Sequence, residues 1–185
     1  MTQHNDGEDV IALLHRQHQQ IRQLFTDLDS APADQRGELF RSLVRLLAVH
    51  ETVEEEVVHP EVRRLKDAEA VVQARIGEER RAKRLLSTLD EIGPDAEGFD
   101  TLLLQLRDDV LAHAKHEEQE ELPLLRGAVS PERLQTMAAT VRVAEAIAPT
   151  HPHPNVEGAT ANLLLGPPIA IMDWARDAIR KAIGH

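Results

Sequence analysis

Four times along this chain, ionisable side chains take positions where a helical stripe calls for apolar ones, and no other feature restricts the fold as tightly. From Glu8 to about Asp29, Ile11, Leu14, Ile21, Phe25 and Leu28 recur in steps of three and four and mark one face of a helix, and His18 falls on that face. A second helix, from about Gly37 into the 60s, carries Leu43, Leu47 and Val57 in its stripe together with His50 and Glu54. A third, from about Asp67 to Glu91, carries Val72, Ile76, Leu86 and Leu89 together with Glu79. A fourth, from about Phe99 to Arg126, carries Leu103, Leu106, Val110 and Leu124 together with His113 and Glu117. Burying an unpaired charge costs several kcal/mol per ion, so a core that takes in these groups must also contain something that compensates them.

The spacing suggests what that is. Residues 50–60 read HETVEEEVVHP and residues 113–123 read HAKHEEQEELP; each opens on His, places Glu four residues later and reaches Pro ten residues after the His. On a helix, His and Glu at i and i+4 project from the same face. A single H-x-x-x-E is weak evidence, and the alignment between helices is stronger. His18 to His50 spans 32 residues (50 − 18), and Glu79 to His113 spans 34 (113 − 79). The chain therefore reads as two similar helix pairs that bring six polar groups to one level. A two-metal centre would compensate them, because imidazole and carboxylate suit iron and a carboxylate can bridge two ions.

Four helices joined by the turn segments SAPADQRG and IGPDAEG, with a short break in the 60s, predict an all-α fold, an up-down-up-down four-helix bundle over residues 1–128. Residues 129–185 form a C-terminal helical extension. Ser130-Pro131 opens a fifth helix that runs to about Ala148. A proline-rich linker occupies residues 149–168, and its HPHP (151–154) reads as flexible chain. IAIMDWARDAIRKAI closes the sequence as an amphipathic helix, with Ile169, Met172, Ala175 and Ile179 apolar and Trp174 as an anchor.

Composition narrows the chemistry. With no Cys, disulfides, thiolate metal sites and Cys nucleophiles are excluded, so any metal is held by His and carboxylates. With no Tyr, a radical relay through tyrosine is excluded. A formal net charge of −11 argues against a nucleic-acid partner. The polar start MTQHNDGEDV is no signal peptide, and no apolar run approaches the ~20 residues of a membrane span, so a cytoplasmic protein with no membrane partner is expected.

The pattern resembles the hemerythrin-like, or HHE cation-binding, family, over roughly residues 8–126 and most strongly in HRQHQQI, HETVEEEVVHP and HAKHEEQEELP. The resemblance implies a bundle around two non-haem iron ions, oxo- or hydroxo-bridged. It implies metal ligands at His18, His50, Glu54, His113 and Glu117. Where such proteins carry His on the third helix, GEERRAKRLL places Glu79, itself a competent ligand. The implied function is to bind or react with dioxygen, peroxide or nitric oxide, in sensing, scavenging or peroxide decomposition, the last of which would be an enzymatic activity. The alternative is a binding module without turnover, which reports iron or oxygen status to a partner through the C-terminal helix. LLLGPPIAIMDWARDAIR resembles the C-terminal extensions of some bacterial members. A third carboxylate adds negative charge at the metals and favours ferric iron, which argues against a simple reversible oxygen carrier.

Simpler readings stand beside these. Glu79 could be an exposed helical Glu paired with Lys83, its i+4 neighbour. His15 and His116 lie one position off their stripes and read as rim or supporting residues. His59 precedes Pro60 and reads as a surface residue. Arg75, Arg80, Arg81, Lys83 and Arg84 read as charge compensation for the acidic second and fourth helices. The whole could also be a structural bundle with accidental His and Glu, which metal content would reveal.

Overall fold

The structure is a computed structural model, and it describes residues 7–147 and 168–184. The described residues are helical apart from turns and short connections, and contain no strand. The proline-rich tract with His151 and His153 lies outside them.

Helix α1 (Val10–Ser30) opens on Asp9, whose side chain accepts a hydrogen bond from the Ala12 N–H at 2.9 Å. Helix α2 (Ala33–Val53) starts four residues earlier than its apolar pattern suggests, because Pro32 precedes the first turn and Asp34 sits favourably in it. Helix α3 (His59–Val62) continues α2 after a π turn. Helix α4 (Glu69–Ile92) follows a tight turn in which Asp67 adopts a positive φ of 64°. Gly93 and Gly98, at φ 76° and 87°, make the break before α5 (Phe99–His116), and a second π turn leads into α6 (Leu122–Ala128). Ser130 caps α7 (Pro131–Ile147) through the Arg133 N–H, and α8 spans Pro168–Ile183.

The core is aliphatic: Leu14, Ile21, Phe25 and Leu28 of α1, Leu43 and Leu47 of α2, Leu86 and Leu89 of α4, and Leu103 and Leu106 of α5 are all buried. Phe40 and Phe99 meet edge to face, with centroids 5.1 Å apart, and seal one end. α1 packs on α2, and α4 on α5.

Every residue of α2 from Ser42 to Val53 is buried, an all-round burial that four helices alone would not give. The cover comes from the extension: α8 packs against α2 and α7, with Ile171, Met172, Ala175 and Ile179 turned inward. Ile169, expected on the apolar face, is 65% exposed, Ile171 takes the inner position, and Trp174 is only half-buried. Among the described residues, no helix is long and apolar enough to cross a membrane.

The two π turns explain why both motifs end in Pro. Pro60 and Pro123 have no N–H to donate, and a proline ring clashes with the carbonyl four residues back. The helix widens instead. The His59 N–H reaches back to the Glu54 carbonyl, and the Leu122 N–H to the Glu117 carbonyl, each five residues away. The π segments Glu54–Val58 and Glu117–Glu121 therefore begin on the two motif glutamates.

Candidate metal centre

All six sequence-predicted residues are buried: His18, His50, Glu54, Glu79, His113 and Glu117 range from 0 to 7% exposed. They form two groups whose donor atoms lie within 4.8 Å of one another. One contains His18, His50, Glu54 and Glu117; the other contains Glu54, Glu79 and His113. Glu54 belongs to both, with Oε1 3.0 Å from His50 Nε2 and Oε2 3.2 Å from His113 Nε2. The exposed placement of Glu79 is not found. It is 1% exposed, and Lys83 Nζ, 3.9 Å from its Oε2, lies closer to Glu55 and Glu51, at 2.5 and 3.5 Å.

The imidazoles are held from behind. His18 Nδ1 donates to Glu118 at 2.7 Å, His50 Nδ1 to Gln17 Oε1 at 2.8 Å and His113 Nδ1 to Glu78 at 3.1 Å. The Gln17 amide donates its own N–H to Glu145 of α7 at 3.0 Å, and this fixes which end of the amide His50 sees. With Nδ1 committed as a donor, each neutral ring turns a lone pair at Nε2 into the cluster. His18 Nε2 and His50 Nε2 then face one another at 3.2 Å, an arrangement that needs a cation or a proton between them. Several buried carboxylate oxygens also lack a hydrogen-bond partner: Glu54 Oε1, Glu79 Oε2 and both oxygens of Glu117. Lone pairs and unpartnered carboxylate oxygens converging on one buried level fit divalent or trivalent cations, with an oxygen and nitrogen donor set suited to iron.

Without a cation, protons take over part of that role. Burial works against charge on His18, yet Glu117 outweighs it and raises its pKa. His113 is raised well above the usual range in the same way, against burial and by Glu54 and Glu78. Burial lowers His50. Burial and the neighbouring Glu54 raise Glu117, whereas the two imidazoles hold Glu54 well below the usual carboxylate range despite its burial. The two carboxyls are therefore pushed in opposite directions, Glu117 toward its acid form and Glu54 toward its carboxylate.

Sequence reasoning missed Gln17, Glu78 and Glu118. Each is the chain neighbour of a predicted ligand, about 100° round the helix, which puts it beside a ring on an adjacent helix and not behind its own neighbour. His15 and His116 lie at the rim as expected, against Glu118 at 3.5 Å and Glu78 at 2.9 Å. Arg75 is buried against Glu78 and Glu120, Lys83 is half-buried against Glu51 and Glu55, and Arg80, Arg81 and Arg84 are exposed.

His59 is a correction. It is 1% exposed, with Nε2 2.6 Å from Glu79 and Nδ1 2.8 Å from Glu121. On an unbroken α-helix, nine residues beyond His50 lie about 180° round, away from the core; the π turn absorbs one residue and returns His59 by about 100°. Burial opposes its charge, but Glu121 and Glu79 push its pKa up to about 10. Glu51, also missed, is buried beside the cluster, and burial pushes its carboxyl up to about 8 against the pull of Lys83.

A cavity with room for about one water-sized molecule opens on the cluster. Its walls are Ile21, Leu47, Ala82, Val110 and Ala114, with His18, His50, Glu51, Glu79 and His113 at its polar end.

The hemerythrin HHE cation-binding domain model matches residues 9–125. The chain belongs to this family. A protein named as a DNA nickase, from a Nostoc species, is 30% identical over 148 residues, which cover 78% of this chain and 42% of that protein. The HHE chain thus spans less than half the length of that relative, and no solved structure matches it.

Proposed function

We propose that this HHE protein folds as an up-down-up-down four-helix bundle that holds two non-haem iron ions, and that it binds or reacts with dioxygen, peroxide or nitric oxide. The observation that carries the reading is the pair of ligand groups sharing Glu54, since a carboxylate common to two sites is what a dimetal centre needs. His18, His50, Glu54 and Glu117 would hold one ion, and Glu54, Glu79 and His113 the other. When bound, the irons supply an open coordination position and the electrons for redox chemistry with a small oxidant. The chain's own part is to fix donor geometry through Gln17, Glu78 and Glu118, to exclude bulk water, and to restrict access by size. A largely apolar cavity with room for about one water-sized molecule restricts what reaches the cluster to very small molecules. Glu51, a buried carboxyl at its polar end, is placed to hold a proton beside a bound molecule.

Metal analysis with an optical spectrum tests the reading. Protein expressed in iron-replete medium should contain close to two irons per chain and show near-ultraviolet charge-transfer bands that shift with azide or nitric oxide. Iron-free protein that takes up none on reconstitution would end it.

A second reading, sensing without turnover, has one observation in its favour. Arg176 of α8 contacts Glu55 and Glu56 at 3.2 and 3.1 Å, and Arg180 contacts Glu56 at 3.0 Å, in the π turn that begins with the shared Glu54. Ligand-dependent change at Glu54 thus has a short path to α8. Spectral change without peroxide consumption would favour it. DNA cleavage rests on the relative's name alone, and the net charge of −11 opposes it.

A further inference from the structure

Four imidazoles are buried among the described residues, and the HHE pattern accounts for three of them. The fourth, His59, repeats the geometry of the others. In each ring Nδ1 is held by an oxygen acceptor: Glu118 for His18, Gln17 for His50, Glu78 for His113 and Glu121 for His59, at 2.7, 2.8, 3.1 and 2.8 Å. In each, Nε2 meets a carboxylate of the cluster: Glu117, Glu54, Glu54 and Glu79, at 3.0, 3.0, 3.2 and 2.6 Å. An imidazole anchored through Nδ1 to a carboxylate or carbonyl and presenting Nε2 is the usual arrangement of a metal-bound histidine.

The two ligand groups are also unequal. The first contains two imidazoles and two carboxylates, the second only His113 with Glu54 and Glu79. The third bundle helix carries Glu79 where an imidazole would have balanced them. On the far side of Glu79, Glu121 is fully buried and its Oε2 has no partner, so His59 is the one group its carboxylate is seen to serve. The π turn ahead of Pro60 is what turns His59 inward at this level.

Resting on the dimetal reading above, we infer that His59 is a metal ligand: it supplies from the end of the second bundle helix the imidazole that the third helix lacks, and completes the site of Glu54, Glu79 and His113. His59 touches that group through Glu79, so ligation requires the two side chains to part around the ion. Their 2.6 Å contact must open and, because His59 lies outside the donor set of Glu54, Glu79 and His113, its ring must also move toward Glu54 and His113. Glu79 Oε2, which makes no hydrogen bond and lies 3.9 Å from Lys83 Nζ, can turn to the ion. Glu121 then holds the ring as Glu118 and Glu78 hold theirs.

The test compares the wild-type chain with His59→Ala and His59→Gln after identical iron loading, reading iron per chain and the number of imidazole ligands by X-ray absorption. The wild type should hold two irons, His59→Ala one, and added imidazole should restore the second iron to His59→Ala but not to His59→Gln. A ring that only positions Glu79 would leave His59→Ala with two irons, and that result overturns the inference. Wild-type protein with no iron would instead end the dimetal reading. Should the variants fail to fold, the wild-type chain, labelled with ¹⁵N at histidine and titrated with zinc as a diamagnetic substitute, decides the question. Four Nε2 resonances moving to metal-bound positions support ligation, and a His59 Nε2 that keeps its proton refutes it.

Discussion

Glu54 is the side chain whose loss should cost most, and the structure gives a scale for that loss. It is fully buried and stays ionised between His50 and His113, with one oxygen toward each. Glu54→Ala takes from buried His113 the carboxylate that does most to raise its pKa, and leaves it Glu78 and the more distant Glu117. Removing one partner of a buried ion pair costs about 3–5 kcal/mol. In a chain of this size each kcal/mol shifts Tm by roughly 2–4 °C, so metal-free Glu54→Ala should melt roughly 6–20 °C below metal-free wild type. The substitution also takes one ligand group from four donors to three and the other from three to two. Neither ion should then be held at stoichiometry, and the stabilisation that metal gives the wild type, about 2.7 kcal/mol at a hundredfold excess over Kd, should vanish. Calorimetry with and without chelator, alongside iron analysis, measures both effects. A variant that keeps two irons would refute the shared-carboxylate geometry, and an unchanged metal-free Tm would refute the buried ion pair.

Three further outcomes follow from the same geometry. Glu79→Ala should reduce iron content from two to one per chain, whereas an exposed Glu paired with Lys83 would cost only a few tenths of a kcal/mol and no iron. Metal-free protein should lose stability as pH rises: the contribution of Glu51 fades between 4.5 and about 8 and that of His59 between 6.5 and about 10, since both hold extra protons when folded. Metal binding should accordingly release protons, and the gap between metal-bound and metal-free Tm should widen with pH; a constant gap from pH 5 to 9 would contradict this. Ile179→Ala, deep in the contact of α8 with α2 and α7, should cost about 2–5 kcal/mol in chemical denaturation, and a neutral result would mean that α8 does not cover α2 in solution.

The sequence by itself determined the helices and the level of the site. Period 3.6 puts His18, His50, Glu54, Glu79, His113 and Glu117 on apolar stripes, and chain spans of similar length, 32 residues from His18 to His50 and 34 from Glu79 to His113, bring those stripes to one depth, so the cluster could be read without coordinates. Tertiary structure decided what a straight-helix reading could not. The burial of His59 and Glu121 depends on π turns that rotate the chain beyond Glu54 and Glu117, a departure from period 3.6 whose only sequence trace is a proline at position 60 and another at 123. Gln17, Glu78 and Glu118 face rings on other helices, and that pairing depends on how helices lie against one another. The all-round burial of α2 likewise depends on α8, more than a hundred residues along the chain. Local periodicity fixes which side of a helix faces inward; only packing fixes what meets it there.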